Sequence, residues 1–72
     1  MSDDKTSLKR TGARLRKARI ASGLKQSDVA EKAGISVNHY AQIERGEKDT
    51  TTSVFKAITK AIDVSSSDIL DA

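Results

Sequence analysis

The sequence predicts an all-α domain of five short helices and no strand. Apolar residues recur at spacings of three and four, as in Phe55, Ile58 and Ile62, which places them on one face of a helix. Glycines follow three such stretches at positions where a helix would end. The chain has 72 residues, enough for one small domain, which we place at residues 8–72 after a flexible polar tail, residues 1–7.

The first helix is expected from Leu8 or Thr11 to Ser22, and Gly23 ends it. Leu15, Ala18 and Ser22 would face inward from this helix.

Helices 2 and 3 are expected at about residues 26–32 and 37–45, joined by the tight turn Ala33-Gly34-Ile35. Ala30 and Ala33 are small enough to let two helices approach closely. Ser36 can cap helix 3 by accepting a bond from a free backbone N–H. This layout is a helix-turn-helix, in which the second helix can enter a DNA major groove. The alternative is a plain helical hairpin that binds nothing.

Helix 4 is predicted at about residues 52–62, after a polar loop at residues 46–50. Asp63 would close it. A short helix 5 is expected at about residues 67–70, with Ser65 or Ser66 as its cap.

Positive charge is concentrated near the start of the chain. The whole sequence carries a net charge of +3 with a pI near 9.5, which is compatible with a nucleic-acid partner but does not establish one. Residues 9–25 hold seven of the cations and no acid. Such a run can be a solvated helix face, but beside a helix-turn-helix it favours a surface for phosphates. These cations are Lys9, Arg10, Arg14, Arg16, Lys17, Arg19 and Lys25.

Composition argues against several classes of protein. There is no cysteine and only one histidine, His39, so we expect no metal site and no cofactor. The sequence has no phosphate-binding loop and no cluster of carboxylates, so we do not expect an enzyme. No segment has the length and apolar character of a membrane span or signal peptide, so a cytoplasmic protein is expected.

The sequence from about Gly12 to Leu70 resembles the Cro/C1-type helix-turn-helix domain of phage repressors and small prokaryotic regulators. The resemblance implies a five-helix, phage-repressor-like domain whose helices 2 and 3 form the helix-turn-helix. This sequence departs from the family pattern at Lys25, where a Ser or Thr cap is usual, and at Thr50, where proline is common. The resemblance is carried by Gly12, Leu15, Arg16, Arg19, Gly23-Leu24, Gln26, Val29-Ala30, Gly34-Ile35, Ile43-Glu44-Arg45-Gly46, Ile58, Ala61-Ile62, Val64 and Ile69-Leu70.

Four residues of helix 3 are expected to read bases. Asn38 and Gln42 lie four apart and share a face, and each amide can pair with adenine N6 and N7. Val37 can offer only an apolar contact, such as to a thymine methyl. His39 would touch a phosphate or a base edge, with plain solvent exposure as the alternative.

Five further residues are expected to hold DNA phosphates. Gln26 begins helix 2, where free N–H groups and the positive end of the helix favour an anion. Lys25 cannot cap that helix but could reach a phosphate. The set of phosphate-binding residues comprises Lys25, Gln26, Ser36, Arg45 and Lys48.

The resemblance also implies a partly buried ion pair between Arg19 and Glu44 that fixes helix 3 against helix 1. The function expected for this chain is that of a transcription regulator that binds double-stranded DNA, either a repressor or a controller-type switch. We expect it to act as a weak homodimer that forms through helices 4 and 5. The alternative is the antitoxin of a toxin–antitoxin pair, which would also bind a toxin protein.

Overall fold

The computed structural model describes residues 4–64 and residue 69, with the backbone alone for residues 4–6. These residues form four helices and no strand, so the prediction of an all-α fold is confirmed. The predicted fifth helix, residues 67–70, lies outside the described residues except for Ile69, whose side chain is buried. The helices are α1 (Asp4–Ala21), α2 (Gln26–Ala33), α3 (Val37–Glu44) and α4 (Thr52–Ile62).

Helix α1 begins at Asp4, four residues before the earlier of the two predicted starts, Leu8. Four residues that the sequence assigned to a tail, 4–7, are therefore helical. These residues contain no glycine or proline to oppose a helix. Being polar, they carry no apolar periodicity, which is why the sequence pattern did not extend the helix to them.

The turn between α2 and α3 is fixed by its backbone. Gly34 has a φ of 76°, in the left-handed region that favours glycine, and it terminates α2. The N–H of Ile35 donates to the carbonyl of Ala30 at 3.0 Å, which closes the end of α2. Ser36 then begins α3, since its Oγ accepts from the N–H of His39 at 3.0 Å. The direction of α3 relative to α2 is therefore set by local hydrogen bonds.

Helix α2 has a cap despite the lysine that precedes it. The carboxylate of Asp28, in the first turn of the helix, accepts from the backbone N–H of Lys25 at 2.9 Å. This is the reciprocal half of a capping box, in which an acid at the third helical position reaches back. The loss of stability expected from Lys25 is thus partly offset by Asp28.

The core lies where α2 packs against α3 and α4 while α1 crosses α3. Helix α4 supplies its inner face at the predicted spacing, and Tyr40 and Ile43 of α3 close the centre. Ile69 packs against the same cluster. The buried apolar residues are Leu15, Val29, Ala30, Tyr40, Ala41, Ile43, Phe55, Ile58, Ile62 and Ile69.

Helices α1 and α3 meet backbone to backbone at Gly12. A Cβ atom at Gly12 would overlap the carbonyl oxygens of Ile43 and Glu44 at the end of α3. Only a residue without a side chain allows so close an approach. Gly12 therefore determines how near α1 lies to the end of α3.

Candidate nucleic-acid interface

Helix α3 divides into a buried face and an exposed face. Tyr40 and Ile43 lie in the core, whereas Asn38 is exposed and Gln42 is partly exposed. Asn38 and Gln42 are one turn apart on the outer side of the helix. Val37 starts the helix and is 44% exposed. The outer face of α3 thus presents two amides and one apolar side chain.

His39 is not on the same line as the two amides. It follows Asn38 directly and is therefore turned about 100° around the helix axis. Its side chain is only partly exposed, and its backbone N–H is used by the Ser36 cap. His39 lies three residues before Gln42, so it borders the line of the two amides without sharing it.

The proposed phosphate-binding residues lie at the starts of α2 and α3 and just past the end of α3. Lys25 and Gln26 stand at the start of α2, and Ser36 at the start of α3. Ser36 uses its oxygen lone pairs for the cap, which leaves its hydroxyl hydrogen free to donate. Arg45 and Lys48 follow the end of α3 and are exposed.

Arg45 is held by a neighbouring acid. Its Nη2 lies 3.0 Å from Glu47 Oε1, and both side chains are 53% exposed. The hydrogen bond to Glu47 raises the pKa of Arg45 and lowers the pKa of Glu47. Since exposed ion pairs are weak, a phosphate could take the place of Glu47.

The Arg19 and Glu44 side chains form a buried ion pair that joins α1 to the end of α3. Arg19 Nε lies 2.6 Å from Glu44 Oε2, and the side chains are 12% and 2% exposed. Gln26 Nε2 donates to Glu44 Oε1 at 3.0 Å, so the first residue of α2 joins the same carboxylate. Arg19 Nη1 also donates to the carbonyl of Leu24 at 2.9 Å, a contact that no sequence pattern indicated. We call Arg19, Gln26 and Glu44 the carboxylate clamp.

The clamp keeps Glu44 ionised. Burial alone would raise the pKa of Glu44, but the bond from Arg19, the nearby Tyr40 hydroxyl and the bond from Gln26 outweigh it and lower the pKa. The guanidinium pKa of Arg19 is raised mainly by its hydrogen bond to Glu44. Tyr40 Oη is buried without a partner of good hydrogen-bond geometry, and this burial raises the pKa of Tyr40. The clamp is thus a charged pair at neutral pH, with a neutral phenol beside it.

No group of three His, Asp or Glu residues in the described part of the chain is arranged to hold a metal ion. Among the same residues, no helix is both long and apolar enough to cross a membrane.

The sequence profile of the helix-turn-helix family HTH_3, which is the Cro/C1 type, matches residues 15–69. The chain belongs to this family. The matched range contains all of α2, α3 and α4, and with them the exposed face of α3 and the carboxylate clamp. A search of curated proteins gave no match.

Solved structures of helix-turn-helix regulators are similar to this domain over most of its length. The restriction-modification controller protein C.AhdI from Aeromonas hydrophila is 26% identical with a TM-score of 0.86, over 89% of this chain and 97% of that one. The clp gene regulator ClgR from C. glutamicum is 26% identical with a TM-score of 0.87, over 89% and 82%. A transcriptional regulator from Vibrio cholerae is 27% identical with a TM-score of 0.85, over 93% and 38%.

Proposed function

We propose that this chain is a transcription regulator that binds a specific sequence of double-stranded DNA, a repressor or controller-type switch acting as a homodimer. The observation that supports this most directly is the exposed face of α3, which consists of Val37, Asn38 and Gln42. The carboxylate clamp attaches this helix to α1 and α2. The exposed face of α3 carries no acidic residue, and an α-helix fits into a DNA major groove, where its amides can bond to base edges.

In the proposed mechanism, one set of residues positions the domain on the DNA and another set reads the base sequence. Lys25, Gln26 and Ser36 would hold phosphates at the starts of α2 and α3, and Arg45 and Lys48, just past α3, would hold the neighbouring strand. Asn38 and Gln42 then read base edges through their amides, and Val37 adds an apolar contact. His39 is proposed to touch a phosphate or base edge at the side of this face.

One such domain reads only a few base pairs, so a second copy on a half-site about 34 Å away would complete the recognition. We propose that the copies meet through α4 and the segment that follows it. A small interface between two such domains would give a weak dimer, and DNA binding would depend on protein concentration.

The proposed function is tested by selecting bound duplexes from a random pool and then varying the salt. If about four phosphates are neutralised by each subunit, the plot of log K against log salt should fall with a slope of about −7 per dimer. Affinity that does not change with salt, or a pool that shows no preferred sequence after selection, would exclude the proposal.

Base reading is tested by Gln42→Ala on the selected duplex. The variant is expected to lose about 1–3 kcal/mol of binding free energy and to relax the preference at one base position, because one bidentate contact is gone. Lys48→Ala is the matched control, expected to weaken all duplexes alike and to reduce the salt slope. Should Gln42→Ala lower the melting temperature while sequence preference stays intact, Gln42 is structural and α3 docks in another orientation.

A further inference from the structure

The first half of α1 lies directly against the turn that ends α3. Gly46, in that turn, has a φ of 74°, and a Cβ added there would lie 2.6 Å from Lys9 Cγ and 2.7 Å from Lys9 Cα. One helical turn further along α1, Gly12 touches the last carbonyls of α3. The stem of the Lys9 side chain therefore packs on Gly46, while the residue as a whole is exposed.

The loop at this end of α3, residues 45–51, has no net charge of its own. It carries the cations Arg45 and Lys48 and the acids Glu47 and Asp49, and Arg45 is already paired with Glu47. A loop of zero net charge attracts phosphate weakly. No carboxylate of a described residue pairs with Lys9. Lys9 thus adds a positive charge from α1 to a loop that has no net charge of its own.

We infer that Lys9 binds a DNA backbone phosphate beside the end of α3, so that α1 as well as the helix-turn-helix contacts the duplex. This inference rests on the proposed DNA binding. The phosphate would lie next to those held by Arg45 and Lys48, and Lys9 would position the domain without reading sequence. Helix α1 places Lys9 there because Gly12 and Gly46 allow the two backbones to touch.

A purely structural role for Lys9 would have a different signature. A cation beside the C-terminal end of a helix also stabilises it through the helix dipole. In that case, removing Lys9 would lower the free energy of unfolding and leave the salt dependence of DNA binding unchanged. The two roles are therefore separable by measuring both quantities on the same variants.

The experiment uses the full chain and the duplex selected from the random pool. Lys9→Ala is expected to weaken binding several-fold to every duplex and to reduce the salt slope by about 1 per subunit. Lys9→Arg keeps the charge and should restore the wild-type slope. Lys32→Ala is the matched control, since Lys32 is also an exposed lysine but lies in the last turn of α2, outside the residues proposed to bind DNA, and its slope should equal that of the wild type.

An unchanged slope in Lys9→Ala overturns the inference, and so does an equal reduction in Lys32→Ala, which would show general electrostatic attraction instead of a contact. If Lys9→Ala unfolds, the salt slope is measured on Lys9→Gln, which removes the charge but keeps most of the stem that packs on Gly46. The same reduction of about 1 per subunit is expected. Failure of the proposed function is distinguishable, because the wild-type chain itself would then show no salt-dependent binding.

Discussion

Replacing Glu44 by glutamine is expected to remove about 3–5 kcal/mol from the free energy of unfolding, because Arg19 would be left buried without its counter-ion. Domains are stable by only about 5–15 kcal/mol, and small ones lie toward the lower end. The variant should therefore be partly unfolded at room temperature, as measured by urea denaturation. DNA binding should fall with it, since α3 loses its attachment to α1 and α2.

Two controls separate the carboxylate clamp from ordinary surface charge. Glu47→Gln removes an exposed carboxylate that also pairs with an arginine, and it should leave stability nearly unchanged. Arg19→Met combined with Glu44→Leu should recover much of the stability, because an apolar pair of similar volume avoids the cost of burying charge. The double-mutant cycle gives the coupling energy directly. A coupling energy of zero within error would contradict this account.

The pH dependence of stability follows from the same carboxylate. The pKa of Glu44 is lower in the folded chain than its ordinary value of 4.5, so the unfolded chain takes up the proton first as the pH falls. Its contribution to stability is fully present above that ordinary value and is lost as the pH falls through the folded pKa. Glu44→Gln should show a smaller loss of stability in acid than the wild-type chain over this range.

Replacing Gly12 by alanine is expected to destabilise the domain by about 3 kcal/mol or more, the upper part of the range for overpacking. In an unobstructed helix the same change would stabilise by about 0.5–1 kcal/mol. Here the new Cβ meets the backbone carbonyls of Ile43 and Glu44, which cannot rotate away as a side chain could. Helix α1 must move from α3, and the ion pair between Arg19 and Glu44 would be stretched.

Gly23→Ala is the matched control for this effect. Its added Cβ meets nothing within 4 Å, so its cost comes only from the left-handed backbone at a φ of 74° and should be about 1–2 kcal/mol. Both variants are compared by thermal and urea unfolding. A Gly12→Ala chain as stable as the wild type would mean that α1 can shift without penalty.

The parts of the fold that could be predicted are those fixed by local chemistry. The range of α4 was predicted as it stands, because Phe55, Ile58 and Ile62 repeat at helical spacing and Asp63 terminates the helix. The turn at Gly34 and the cap at Ser36 followed for the same reason. The exposed face of α3 could also be inferred, since Tyr40 and Ile43 fix which side is buried.

Other contacts depend on how two helices cross or on the path of a loop, and the sequence did not indicate them. The overlap at Gly12 depends on how α1 crosses α3, and the bond from Arg19 to the Leu24 carbonyl depends on the path of a loop. The extended start of α1 was missed because polar residues carry no periodic signal. The preferred DNA sequence stays unpredicted, since an amide at Asn38 or Gln42 acquires a base preference only when docked.

The division of α3 into two faces also bears on how new operators could arise. Val37, Asn38 and Gln42 make no hydrogen bond through their side chains to another described residue, whereas Tyr40, Ile43 and Glu44 are interior. Exchanging the three outer residues should therefore change the target sequence at little cost to folding. Duplicated copies of the gene could then diverge in DNA specificity by changing one outer residue at a time. Selection for folding would act on the interior positions of α3 and keep them unchanged.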